Sequence, residues 1–179
     1  ATDLTLNFIV IVTNSKYTIS LVTATSTGDN NDITDSSSSN HTVTVSGDAH
    51  AGTFSPYRHG GYSTYFGTGG SEVLVVSGTK SAMGAANQDF SISAWLYPNA
   101  NIDKFIYSVN HNSNGQVGWH DIYFQGSGKL TFRIQDTSSL GSLTSTSTIP
   151  IGAWTHFLIN RSSNITKLYI NGVEEASSN

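Results

Sequence analysis

Cysteine is absent from the 179 residues, which removes disulfide frameworks and thiolate chemistry without deciding a compartment. Charge is scarce: 11% of residues are Asp, Glu, Lys or Arg, and the formal net charge is -4. The Lys and Arg residues are scattered from Lys16 to Lys167 with no basic run. The electrostatic footprint that a phosphate backbone requires is therefore missing, and nucleic acid is not an expected partner. Long apolar runs are missing too. The most apolar stretch, Leu4 to Val12, is broken by Thr5 and Asn7 and falls well short of the roughly 20 residues of a spanning helix. No membrane span is expected. Nowhere does i, i+3, i+4 spacing persist beyond one turn; Ser81 to Ala86, the best stretch, contains Gly84, so helix content should be minimal.

What is present is Ser, Thr, Asn and Gly between short alternating segments. Phe90 to Tyr97, Lys104 to Val109, Asp121 to Gln125, Lys129 to Ile134, Trp154 to Asn160 and Lys167 to Ile170 have the period of half-buried strands, as do His41 to Val45, Tyr62 to Phe66 and Glu72 to Val76. Gly126-Ser-Gly128 and Asn171-Gly172 stand where tight hairpins need residues tolerant of positive φ. With no βαβ rhythm, the fold class is all-β: an antiparallel β-sandwich of the jelly-roll kind. Leu4 to Val12 is a strand with one wholly apolar face, and Tyr17 to Val22 is expected to pair with it. Residues 1–16 are accordingly set apart as an N-terminal strand serving assembly, and 17–179 as the domain. Thr23 to Asn40, almost wholly polar, should be a surface loop outside any core. Trp95 and Trp154, inside alternating strands, are expected in the core.

Five motifs in order, beginning with Thr34 to Asp48 and Gly60-Gly-Tyr-Ser-Thr-Tyr-Phe66, resemble the laminin G-like family of the concanavalin A-like jelly-roll superfamily. The others are Phe90-Ser-Ile-Ser-Ala-Trp-Leu-Tyr-Pro98, Ile149-Pro-Ile-Gly-Ala-Trp-Thr-His156 and Lys167-Leu-Tyr-Ile-Asn-Gly172. By that pattern the chain ends before the family's last strands, which leaves strand edges to be covered in a homo-oligomer or larger assembly. The segment Asp35 to Val45 with Phe54-Ser-Pro56 resembles structural proteins of marine tailed bacteriophages. The resemblance implies a virion surface or extracellular location, with other virion proteins as partners in capsid decoration, tail or fibre.

Function is weighed from the motifs present. The Glu-x-Asp-x-x-Glu strand of jelly-roll glycosidases is absent, and the adjacent Glu174 and Glu175 point to opposite faces of a strand, unable to flank one glycosidic bond. There is no Gly-x-Ser-x-Gly elbow, and the six His have no metal-ligand spacing. The chain is therefore expected not to be an enzyme. Asp29-Asn-Asn-Asp32 with Asp35 offers oxygens that calcium could use, but ordinary polar loops closed by Asx turns are commoner; no cofactor is expected. The most ligand-like segment is Asn110 to Asp121, in which Asn112, Asn114, Trp119, His120 and Asp121 combine amides, imidazole, carboxylate and a ring able to stack on a sugar. Its plainer reading is a hairpin loop whose Trp119 covers the core edge. The expected function is a non-catalytic virion surface module for assembly or adhesion, with surface glycans as candidate ligands. The alternatives are a carbohydrate-binding adhesin domain of a secreted cellular protein and a degenerate glycosidase.

Overall fold

The computed structural model describes residues 18–24, 31–56, 61–67, 69–78, 88–109, 119–135 and 140–178. They fall into two compact units, 1–79 and 80–179. Leu4 to Val12, and with it the expected assembly strand, lies outside the described residues.

In the first unit the strands are β1 (Val22–Ala24), β2 (Ile33–Asp35), β3 (Val43–Ser46), β4 (His50–Gly52), β5 (Ser63–Tyr65) and β6 (Val73–Val76). They form three antiparallel ribbons, β1 with β2, β3 with β6 and β4 with β5. The segment Thr23 to Asn40 is therefore not merely a surface loop. It contributes β2, and Ile33, Asp35 and Ser37 are buried. A polar composition suffices because one carboxylate organises it. Asp35 accepts the amides of Leu21 (2.7 Å), Ser37 (3.0 Å) and His41 (3.0 Å) and the Ser37 hydroxyl (2.9 Å). Burial pushes its carboxyl upward, but those donors outweigh burial and bring it down to about 2. At the turn after β3, Gly47 takes φ +66, and a Cβ there would lie 2.8 Å from the Ser71 carbonyl oxygen, so only glycine fits.

The second unit contains β7 (Phe90–Leu96), β8 (Lys104–Val109), β9 (Trp119–Phe124), β10 (Leu130–Gln135), β11 (Leu140–Thr144), β12 (Thr155–Ser162), β13 (Ile165–Ile170) and β14 (Val173–Ser178). Two four-stranded antiparallel sheets result, in the orders β11-β10-β9-β8 and β14-β13-β12-β7. Alternation turns Ile122, Phe124, Leu130, Phe132 and Leu143 of one sheet toward Phe157, Ile159, Leu168 and Ile170 of the other, and together with Ile149 these form a single buried cluster. Each such side chain contributes about 1.5–3 kcal/mol when fully buried. This is the all-β jelly-roll sandwich expected from the sequence, and no helix occurs among the described residues. Asn171 (φ 49) and Gly172 (φ 81) make the two-residue turn between β13 and β14, both in the left-handed region that a type I′ hairpin requires.

Candidate functional site

Strand β9 divides the expected ligand residues between two faces. Its even positions, His120, Ile122 and Phe124, face the sandwich interior, whereas Trp119, Asp121 and Tyr123 lie on the outward side. The register places Arg133 of β10 opposite Asp121, and Phe105 of β8 opposite Tyr123. Arg133 therefore meets Asp121 in a two-pronged pair, Nε to Oδ1 and Nη2 to Oδ2, each 2.8 Å. The Asp121 side chain is wholly buried while Arg133 is 29% exposed. Burial of an ion pair is tolerable only with geometry of this quality.

Three rings surround the guanidinium, whose carbon lies 5.4 Å from the Phe105 centroid and 5.7 Å from those of Trp119 and Tyr123. Phe105 and Tyr123 stand 5.1 Å apart at 56°. Trp119 is buried, but Phe105 is 51% exposed, so this face ends in an accessible aromatic edge resting on a fixed cation. Beside it, Asp103 accepts the Gly126 amide at 2.7 Å. That bond first, and one from the Tyr123 hydroxyl second, hold its carboxyl below the usual range. The register continues the face with Thr131 opposite Tyr123 and Ser142 opposite Arg133, and the Thr131 and Thr144 hydroxyls meet at 2.9 Å.

His120, expected among the ligand groups, packs inside instead. Its ring stacks on Phe90 (5.6 Å, 11°) and Tyr107 (5.5 Å, 23°), and the Tyr107 hydroxyl is 3.0 Å from Nε2. Burial pushes the imidazole down to about 4, partly offset by the negative charge of Asp121, so the ring is neutral near pH 7. Trp119 and Asp121 come together, but as the underside of the face rather than its contact surface. Asn112 and Asn114 lie outside the described residues. Sequence reasoning missed Phe105, Tyr123 and Arg133. The available signal was the two-residue spacing of Trp119, Asp121 and Tyr123, with Arg133 on the next strand of the hairpin.

The other sheet also presents aromatic residues outward. Trp95, expected in the core, is 44% exposed, because it shares its side of β7 with Ser91 and Ser93. It pairs with His156 across the β7–β12 register (5.3 Å), and Tyr97 pairs with Trp154 at the same separation. Trp154 is half-buried. Ser91 donates to Asn160 Oδ1 at 2.7 Å, and Lys167 meets Glu174 at 2.8 Å with both ends in solvent.

Seven of the described carboxylates, those of Asp35, Glu72, Asp89, Asp103, Asp121, Glu174 and Glu175, have structural partners. Glu174 engages Lys167, Glu175 accepts the Ser147 amide (2.7 Å), Asp89 that of Ser163 (2.9 Å), and Glu72 those of Gly69 (3.0 Å) and Gly70 (2.7 Å). Asp35, a candidate calcium ligand, accepts two hydrogen bonds on each oxygen, and the one from the Ser37 amide closes an Asx turn. Asp29 lies outside the described residues. Among the described residues no three His, Asp or Glu side chains are grouped to hold a metal ion, and no helix is long and apolar enough to cross a membrane.

Two four-stranded antiparallel sheets packed face to face are a β-sandwich of the jelly-roll kind. The chain belongs to the Concanavalin A-like lectin/glucanases superfamily, whose laminin G family profile matches residues 66–179. Among solved structures it is similar to one of botulinum neurotoxin type C, whose cell entry depends upon interaction with two ganglioside molecules (TM-score 0.56, 20% identity). The match covers 82% of this chain and 35% of the toxin chain, so the protein spans about a third of that relative's length. It is also similar to residues 221–444 of an S-layer domain-containing protein from Clostridium thermocellum (TM-score 0.50, 16% identity, 89% of this chain and 71% of that one). At these identities the likeness concerns the fold. A comparison with curated protein sequences finds no match.

Proposed function

We propose that the chain is a non-catalytic carbohydrate-binding module acting in surface adhesion, with the outward face of β8–β11 as its binding site. Phe105 and Tyr123 form the stacking platform. Arg133 supplies hydrogen-bond donors, while Trp119 and Asp121 hold the guanidinium in place. The observation that carries this reading is the half-exposed Phe105 ring fixed beside Tyr123 and a buried-anchored arginine. Rings offer sugars an apolar face, and prepositioned polar groups lower the ordering cost of recognition. Superfamily membership supports it, and the toxin that shares the fold depends for cell entry upon interaction with ganglioside molecules.

The non-catalytic part rests on the structural partners of those seven carboxylates, since glycoside hydrolysis needs two carboxyl groups free to act across one bond. The setting we propose is extracellular, on a virion surface as capsid decoration, tail or fibre. Its ground is the likeness of the segment Asp35 to Val45 to marine phage structural proteins, and the alternative is a secreted cellular adhesin. The virion setting is tested by quantifying the protein in purified particles, where a fixed copy number is expected. The binding proposal is tested on a glycan array followed by calorimetry: binding by the wild type that Phe105→Ala abolishes is expected. Release of reducing sugar from any bound glycan would overturn the non-catalytic reading.

A further inference from the structure

Resting on that reading of the β8–β11 face, the charge arrangement points to a ligand class: we infer that the site takes neutral saccharides and disfavours those bearing a carboxylate or sulfate. The face has one guanidinium, and its charge is already committed. Arg133 spends Nε and Nη2 on Asp121 at 2.8 Å each, and that carboxylate is wholly buried directly beneath it. The pair is neutral as a unit. Arg133 Nη1 has no partner among the described residues, so it remains a donor to a hydroxyl or acetamide oxygen without the unopposed positive charge that acidic-sugar recognition uses.

The rim then adds a negative charge. Asp103 is kept ionised by the Gly126 amide and the Tyr123 hydroxyl, and that hydroxyl belongs to one of the two platform rings. An acidic sugar stacked on Phe105 and Tyr123 would meet this carboxylate. Among the described residues the groups that hold Asp103 are the Gly126 amide and the Tyr123 hydroxyl. Lys104, exposed at the start of β8, is in register with Phe124 rather than with Tyr123. Lys129 lies by Glu175, whose carboxyl it helps hold below the usual range.

The test compares a neutral oligosaccharide with the same core carrying a terminal sialic or uronic acid, titrated into the full chain at low and high salt. About tenfold tighter binding of the neutral form at low salt is expected, the factor for roughly one like-charge contact near a surface. The gap should narrow at high salt as screening grows. Asp103→Asn should lower the neutral-to-acidic ratio. Equal or tighter binding of the acidic form by the wild type would overturn this inference while leaving the glycan site in place. Binding of neither form, across an array of both classes, would remove the glycan reading and this inference with it.

Discussion

The two outward faces of the sandwich share ingredients, aromatic rings and one ion pair each, but differ in what is buried. On the β8–β11 face the ion pair lies at the bottom: Asp121 is wholly buried, Arg133 covers it, and Phe105, Trp119 and Tyr123 surround the guanidinium. On the β7–β12–β13–β14 face Lys167 and Glu174 meet in solvent, 37% and 42% exposed, and Trp95 rests on His156, with no Lys or Arg against its ring among the described residues. A buried pair fixes the groups around it because breaking it strands a charge, whereas an exposed pair is screened and exchanges with water. The first face is therefore rigid where a ligand would touch it, and the second has rings without that anchor.

The largest effect expected from this difference is on stability. Arg133→Ala removes the guanidinium that meets the buried Asp121 carboxylate at two points and should cost about 3–5 kcal/mol, measured by chemical denaturation. Replacing both partners by apolar residues, Asp121→Leu with Arg133→Met, should recover most of that. Lys167→Ala on the other face should cost no more than about 1 kcal/mol. Equal losses from the two single variants would erase the distinction between the faces.

Acid should next act beneath the first face. The folded His120 imidazole titrates at about 4 and an unfolded one at about 6.5, so the unfolded state takes up the proton first as pH falls. The stability contributed by the neutral ring is complete above pH 6.5 and declines through pH 4 by about 3 kcal/mol. His120→Phe should flatten that slope. Asp35, in the first unit, behaves as a separate control. Its folded value of about 2 lies below the ordinary 3.8, so its contribution, about 2 kcal/mol, is present above pH 4 and lost as pH falls through 2. Hydrogen exchange at the Leu21, Ser37 and His41 amides should report that step, leaving the pH 6.5 to 4 change to the second unit.

A smaller effect should follow Trp95→Ala. A buried aromatic truncation costs about 3–5 kcal/mol; a half-exposed ring held by one neighbouring imidazole should cost about 1 kcal/mol. A loss in the higher range would mean that Trp95 belongs to a packed interior and that the second face is closed.

The sandwich was legible because its strands alternate and its turns carry the required chemistry, as Asn171-Gly172 shows. Trp95 was misjudged on residue type, although its spacing from Ser91 and Ser93 already placed it outside. Strand β2 escaped notice because a single isoleucine, Ile33, and a carboxylate replace the usual apolar run; composition measures apolar content and is blind to four donors converging on Asp35. The segment Asn110 to Asp121 was singled out for its amide, imidazole, carboxylate and indole groups, but residue type could not say which side of β9 Trp119, His120 and Asp121 occupy. Arg133, 12 residues away, joins Asp121 only through hairpin register, and Phe105 joins Tyr123 only through the pairing of β8 with β9.

The binding proposal turns on which face carries the ligand. Its most direct measurement is calorimetric titration of one array-selected neutral oligosaccharide into wild type, Phe105→Ala and Trp95→Ala, with each variant first shown to be folded. Stacking of a ring on an aromatic side chain is the interaction removed in either case. We expect binding to vanish in Phe105→Ala and to persist at wild-type affinity in Trp95→Ala; the reverse pattern, loss with Trp95→Ala and retention with Phe105→Ala, would contradict the assignment of the site to the β8–β11 face.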